Sequence, residues 1–456
     1  MLVMKFGGSS LADAERILKV SEIVKSQLTR KPVLVLSAMG DTTDHLLEAS
    51  GEALSGGSVS VKKIKELHLK TIQELGLKAS VQDEIAPLLK ELESLLEGIS
   101  LIRELTGRTK DYLVSFGERL SVRIAAAFFR TRRMKAQAVD AWDAGFVSDS
   151  NFTQAELLRE SWELIPQALL PLIDRGVLPV ITGFIARDRS GSITTLGRGG
   201  SDLSATIIAA SCGAEEAQVW KDVDGILSAD PRIVKKARPV EAVSYDEAAE
   251  LAYFGAQVLH PRAMQPCQKT GTPVLVKNTF NPSAPGTRIV AALDKKTSPV
   301  RAITSKKNVT LVDVVSTRML GQYGFLEEVF SAFARHHISV DMVATSEVSI
   351  SLTLDAAHDL GGLKKDLGRI AAVEIKTGKA IVTIIGDVRR SSEILFRTFR
   401  ICALLGVTVQ MVSQGASKVN ISFIVNDTEA ADVVKAIHAD FFDPSSAEET
   451  AKRSVL

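Results

Sequence analysis

Between Met1 and about Phe280, short apolar runs alternate with longer stretches whose apolar residues recur every three or four positions. That alternation predicts a layered α/β domain on a mostly parallel sheet. The runs VLVLSAMG, LPVITGFIA, EAQVWKDV and TPVLVKN each lead into turns rich in Gly, Asp or Ser, and they read as buried strands. MLVMKF, at the start, reads as another, running straight into Gly7 and Gly8. A long helical excursion separates the second strand from LVSFGERLS. In it Ile85, Leu88, Leu89, Leu92, Leu95, Leu96 and Ile99 form one apolar stripe, expected to pack on the domain.

The turn-rich segment NPSAPGT, residues 281–287, marks the end of this pattern, and the chain beyond it repeats itself. Val340, Met342 and Val343 recur as Val409, Met411 and Val412, and Ile350 and Ser351 recur as Ile421 and Ser422. A strand and an amphipathic helix precede each copy, which predicts two βαββαβ units.

Composition narrows the choices. A chain of 456 residues with 45% hydrophobic and 24% charged positions is an ordinary globular protein of two or three domains. The formal net charge of +1 supplies no field for nucleic acid or a membrane surface. No apolar stretch approaches the length of a bilayer span, and the first residues lack the long apolar region of a signal peptide. Cys212, Cys267 and Cys402 lie far apart, as expected of a reducing compartment, and the reading is cytoplasmic.

Several familiar sites can be set aside. The chain contains no G-x-x-x-x-G-K-[ST] phosphate loop. In LGRGGSD, Asp202 stands where a dinucleotide fingerprint needs its last glycine. DVDGILSAD places its glycine too early for a calcium loop. Five polar turns remain, each expected at the end of an apolar strand: KFGGSS (5–10), SAMGDTTD (37–44), SFGERLS (115–121), TTLGRGGSD (194–202) and KDVDGILSADPR (221–232). Any one alone reads as a solvated loop. Together they imply a crevice beyond the carboxyl ends of parallel strands, with Lys5 and Arg198 suited to anions. Ser201 is a plausible N-cap for the next helix. The seven histidines make no zinc motif, and Cys267 reads as core. With no nucleophile dyad in view, the chemistry that fits is phosphoryl transfer to a substrate that brings its own nucleophile.

These motifs resemble the aspartate kinases of the amino-acid kinase family over nearly the whole chain. The resemblance rests on Lys5–Ser10, S-A-M-G-x-T-T-D at 37–44, Gly117–Glu118, L-G-R-G-G-S-D at 196–202, WKDVDGILSADPR, ELAYFGAQVLHPRAM and VKNTFNPSAPGT. The C-terminal units resemble ACT domains of the monofunctional, lysine-sensitive type. The resemblance implies a three-layer amino-acid kinase fold over 1–295. It implies a first ACT domain over 309–379 and a second made of 296–308 plus 380–446.

It also implies the reaction: the side-chain carboxylate of aspartate attacks the γ-phosphate of Mg-ATP, giving 4-phosphoaspartate and ADP. A carboxylate is already ionised near neutral pH, so no general base is needed. By resemblance, Lys5, Arg198 and Asp202 are catalytic, and Ser37, Thr43, Glu118, Phe184, Arg198 and Ser201 form the aspartate pocket. Lys5, Phe6, Gly7, Gly8, Ser9, Lys221, Asp222, Leu227, Asp230, Arg232, Gln257 and Val258 are expected to face ATP. Lys221, Leu227 and Gln257 depart from the enterobacterial pattern and resemble plant-type sequences. No protein metal site is expected, because Mg²⁺ would be held chiefly by ATP oxygens.

The first repeat carries Asp341 and Glu347 where the second has Gln410 and Ala416, so only one copy offers two carboxylates to a cationic effector. The family binds lysine here. The matching positions are Met319, Gln322, Gly324, Phe325, Leu326, Ser339, Val340, Asp341, Thr345, Ser346 and Glu347. A homodimer or homotetramer through the ACT units is the implied assembly.

Overall fold

Leu2–Phe6, Pro32–Leu36 and Leu178–Thr182 are buried along their whole length. Near-continuous apolar runs of this kind form parallel strands covered on both faces. The computed structural model describes residues 1–57, 59–253, 259–293, 299–316, 319, 323–355, 360–415 and 418–443. The chain divides into two compact units, one of residues 1–226, 241–245 and 258–293, the other of 227–240, 246–257 and 294–456.

The first unit holds an eight-stranded sheet in the order Ala136–Val139, Leu178–Thr182, Pro32–Leu36, Leu2–Phe6, Glu216–Lys221, Val274–Asn278, Thr287–Val290, Ala242–Ser244. The first six are parallel, and Thr287–Val290 returns antiparallel to Val274–Asn278. On one face, Leu2, Met4 and Phe6 share a core with the helices Ala14–Ser26, Ala79–Ile102 and Gly107–Thr131. The expected apolar stripe lies on Ala79–Ile102, where Ile85, Leu88, Leu89, Leu92, Leu96 and Ile99 are buried. A small second sheet joins Val147–Ser148, Ile185–Asp188 and Ile193–Thr195.

One expected strand-end turn is helix instead. SFGERLS lies within Gly107–Thr131, whose buried Leu113, Phe116, Leu120 and Ile124 follow the helical period across the supposed turn. Gly117 is needed there for packing, because a Cβ at that position would stand 2.7 Å from the Cβ of Ala38.

The second unit is built on a six-stranded antiparallel sheet, ordered Met342–Thr345, Ser349–Asp355, Val300–Val315, Ala372–Gly386, Asn420–Asn426, Met411–Ser413. Two long strands, Val300–Val315 and Ala372–Gly386, run through both repeats. Their register slips between Lys306 and Leu311, where Asn308 has φ 54°. Asparagine tolerates that left-handed conformation better than most residues, and the bulge divides the sheet in two. Residues on either side of it complete different repeats: 309–315 pairs with Ser349–Asp355, while 380–385 pairs with Asn420–Asn426. Each half has its own core, and the repeated methionines Met342 and Met411 meet in a third cluster with Val309, Ile381 and Ile424.

Two segments inside the expected catalytic domain of 1–295 pack with the second unit. Residues 227–240 and 246–257 cluster with the second unit, because Ala229 and Val234 are buried in its core beside Ile303 and Val433.

His68, buried on the helix Lys62–Glu74, shows a cost of this packing. Burial pushes its imidazole down to about 4, although its Nδ1 lies 2.7 Å from the Ile64 carbonyl. As pH falls through about 6.5, the unfolded chain takes up this proton first. Stability is therefore expected to decline between pH about 6.5 and 4, by up to about 3 kcal/mol. Urea melts across this range should show a flatter pH dependence for His68→Leu than for the wild type. Identical profiles would show that His68 contributes nothing to acid sensitivity.

Candidate active site

The carboxyl ends of Leu2–Phe6 and Pro32–Leu36 open on one crevice of about 520 Å³ in the first unit. At its base Asp202, on the opening turn of the helix Gly200–Ser211, lies 2.7 Å from Lys5 Nζ and 3.2 Å from Lys221 Nζ. Lys5 and Asp202 are both buried. Burial alone would raise the Asp202 carboxyl, but the two ammonium groups outweigh it and hold the group below the usual carboxylate range.

The helix start differs from the sequence expectation. Its N-cap is Gly199, not Ser201, and Gly199 sits at φ 74° with no room for a Cβ, which would lie 2.8 Å from His260 Cβ. Ser201 falls inside the first turn, and Ser37 Oγ donates to its Oγ at 3.1 Å. The helix N-terminus thus faces the crevice with its opening N–H groups, an arrangement that favours anions.

Glu118 is buried on the opposite wall. It accepts the Ala38 N–H on Oε1 at 3.2 Å, while Oε2 has no hydrogen-bond partner among the described residues. Burial pushes this carboxyl up to about 8, against the smaller opposing pull of the Ala38 N–H and Lys5. Thr43, Phe184 and Arg198 also line the crevice, with Arg198 exposed at its mouth. The structure therefore gathers Lys5, Gly8, Ser37, Thr43, Glu118, Phe184, Arg198, Ser201 and Asp202 around one space.

Other expected residues stand elsewhere. The Phe6 ring is buried on the other face of the sheet, 5.8 Å from Trp220, because side chains alternate along a strand; only its backbone faces the phosphate side. Gly7 stands close to Lys5 Nζ, and Ser9 and Asp222 are exposed. Leu227, Asp230 and Arg232 belong to the second unit, where Arg232 forms a two-point pair with Asp230. Gln257 and Val258 lie outside the described residues. Among the described residues, no group of three His, Cys, Asp or Glu converges as a metal site, and no helix is long and apolar enough to cross a membrane.

The family model described as the amino acid kinase family matches residues 1–278, and the ACT domain model matches 312–359 and 382–441. Aspartokinase 1, chloroplastic, of Arabidopsis thaliana is 49% identical over 97% of this chain and 80% of its own length. Escherichia coli aspartokinase III, solved with lysine and aspartate, superposes with a TM-score of 0.80 at 32% identity, covering 97% of this chain and all of the other. The same enzyme solved with aspartate and ADP gives 0.79 at 32% identity over the same coverage.

The chain belongs to the aspartokinase family. It is an aspartate kinase, with an amino-acid kinase fold followed by ACT domains.

The expected effector residues of this aspartokinase lie around the first repeat. Gly324 caps the helix Phe325–Arg335 at φ 88°, Phe325 is buried, and Leu326 is exposed. Met319 packs at the edge of that core, and Ser339 and Val340 precede the strand Met342–Thr345. Gln322 and Ala416 lie outside the described residues. Asp341 and Glu347 flank a short strand. They lie beyond opposite ends of Met342–Thr345, roughly 15–20 Å apart at the rise of an extended chain. The Asp341 carboxylate already accepts from Lys306 Nζ and Tyr253 Oη, each at 2.7 Å, whereas Glu347 is exposed with Thr345 and Ser346.

The sequence reading missed Lys110, Asp111, Thr153 and Thr195, which also line the crevice. Their signal was present: Asp111 and Glu118 are two helical turns apart and share a face. Placing SFGERLS in a turn concealed it.

Removing Lys5 leaves Asp202 with Lys221 as its remaining cation and strips one positive charge from the crevice. Lys5→Ala is expected to lower turnover by about 10²–10³, as losing one preorganised electrostatic contact does. Steady-state rates on a variant with wild-type circular dichroism check this, and unchanged turnover would remove Lys5 from the catalytic machinery.

Proposed function

We propose that the crevice holds aspartate between Glu118 and Arg198 and directs its side-chain carboxylate at the γ-phosphate of Mg-ATP, giving 4-phosphoaspartate and ADP. The observation that carries this reading is Glu118, a buried carboxylate with one oxygen unpartnered, across one crevice from a guanidinium. An α-amino acid suits this pair of side chains: its ammonium fits the unpartnered Glu118 oxygen, and its carboxylate fits the planar Arg198 fork. Ser37, Thr43, Phe184 and Ser201 complete the wall and fix how deep the substrate side chain reaches.

Lys5, with the Gly7 and Gly8 amides, faces the phosphates and balances charge that moves toward the β–γ bridge as the bond breaks. Asp202 serves by holding Lys5 and Lys221 in fixed positions. Lys221 and Asp222 continue the nucleotide side, and Leu227, Asp230, Arg232, Gln257 and Val258 are assigned to it by resemblance. Mg²⁺ is taken to arrive as part of Mg-ATP, held chiefly by phosphate oxygens. Aspartate and ADP in the E. coli crystal structure support this pair of ligands.

We assign lysine as the inhibitor at the first ACT repeat (residues 309–379), supported by lysine in the structure of the E. coli relative. Asp341 and Glu347 stand beyond opposite ends of the short strand Met342–Thr345. We assign a homodimer or homotetramer through the ACT units as the assembly, by resemblance. Three unpaired cysteines fit a reducing compartment such as the cytoplasm.

A bound ammonium favours the charged form of Glu118, whereas the empty pocket favours the neutral one below pH about 8. The kcat/KM for aspartate should therefore rise with pH from 6.5 to about 8, and Glu118→Gln should flatten that rise while raising the aspartate KM about 10–100-fold. A variant with the wild-type profile would sink the ammonium assignment. For the effector, the ratio of rates with and without lysine should approach one in Glu347→Lys. Persistent inhibition would place the lysine site elsewhere.

A further inference from the structure

Arg198 rides on a loop whose two neighbouring segments, 153–155 and 195–196, are stapled together from both sides. From below comes Asp111, 1% exposed on the helix Gly107–Thr131. Its Oδ2 accepts the N–H groups of Thr153 at 2.8 Å and Thr195 at 2.9 Å, and its Oδ1 accepts the Thr195 hydroxyl at 2.7 Å. From the other side comes Arg262, on the helix Pro261–Thr270. Its Nη1 donates to the Leu196 carbonyl at 2.8 Å and its Nη2 to the Ala155 carbonyl at 2.9 Å. Between them, the Ala155 N–H donates to the Thr195 carbonyl at 2.9 Å, and the Leu196 N–H to that of Phe184 at 2.8 Å.

The brace also holds a backbone that would otherwise relax. Thr153 has φ 72°, a left-handed conformation that a β-branched residue strongly disfavours. Such outliers persist where surrounding structure fixes them, and they concentrate at functional sites. Asp111 takes the Thr153 N–H, and the Thr153 carbonyl lies beneath Gly197, the residue before Arg198, where a Cβ on Gly197 would stand 3.3 Å from it.

We propose that Asp111 and Arg262 are positioning residues that act through the 153–155 and 195–196 segments to aim Arg198 at the α-carboxylate of the substrate. This rests on the proposed function, in which Arg198 binds that carboxylate. Neither residue needs to touch substrate. Losing either one lets the loop carrying Arg198 move, so substrate affinity should suffer well before the nucleotide side does.

Initial rates with aspartate and ATP varied in turn test this. Asp111→Ala should raise the aspartate KM at least tenfold with the ATP KM within about twofold. Asp111→Asn should restore most of the affinity, because one amide oxygen can accept both N–H groups while its NH₂ donates to the Thr195 hydroxyl. Adding Thr153→Gly to Asp111→Ala should recover part of the loss, because glycine holds a positive φ unaided. An Asp111→Ala enzyme with an unchanged aspartate KM, or with both KM values raised equally, overturns the proposal. Should Asp111→Ala not fold, Arg262→Met decides on the same split, and an unchanged aspartate KM there overturns it as well. Arg198→Ala separates the two readings. If it raises the aspartate KM and the brace variants do not, only the positioning role falls. If it leaves the aspartate KM unchanged, the substrate assignment falls and the brace loses its purpose.

Discussion

Two ammonium groups share one buried carboxylate, and the catalytic unit is arranged around keeping them there. Lys5 comes from a central strand, Lys221 from the strand beside it, and Asp202 from the first turn of a helix behind both. With one anion between two cations, the cluster carries surplus positive charge. Such a charge is costly to bury, and removing one partner of a buried pair is costlier still. The arrangement is relieved when a further anion arrives on the side left open. In the proposed reaction a transferring phosphoryl group is that anion, and the charge imbalance would double as preorganised stabilisation. The parallel sheet makes this possible, because neighbouring strands in register deliver both lysines to the same end.

The crevice also sets two carboxylates in opposite states. Asp202, between two cations, is held ionised. Glu118 is buried with one backbone N–H and a distant lysine, and its carboxyl is raised to about 8. Both are almost completely enclosed, so burial alone does not separate them; the charges within reach do. A pocket with one permanently charged acid and one that ionises on meeting a cation can tell an amino acid from a plain dicarboxylic acid. The latter brings no ammonium to meet the cost of ionising Glu118.

Much of this was legible along the chain, and the exceptions have physical reasons. The fully buried parallel strands announced themselves as uninterrupted apolar runs, and the glycine-rich turns after Phe6 and Thr195 lie at the crevice as expected. The repeats were visible because both copies bury the same face of the same strand, down to Met342 and Met411. SFGERLS misled, since a glycine amid polar residues normally marks a turn. Here the glycine lets a helix touch the Ala38 segment, a tertiary need with no local signature. Asp111 vanished with that error. Arg262 was invisible for another reason: it holds two backbone carbonyls, which any sequence presents, from a helix far along the chain.

The regulatory half has its own logic. Lys306 stands just before the bulge that divides the long strand Val300–Val315, and its ammonium reaches Asp341 at 2.7 Å and Asp355 at 2.8 Å. Asp341 is nearly buried, so this ion pair is worth more than one at the surface. Burial alone would lower the lysine's proton affinity, but the two carboxylates outweigh it and keep the ammonium charged. Tyr253, from helix Tyr245–Tyr253, donates to the same carboxylate and lies under the Lys306 ammonium. A cation arriving at Asp341 therefore meets an occupied site and must share the carboxylate or displace Lys306. Either event changes what holds Tyr253, so the affinity of a cationic effector here is a difference between two ammonium contacts. A ligand can shift an equilibrium only by such a difference, so at the proposed effector site Lys306 would set how strongly a cation at Asp341 can act.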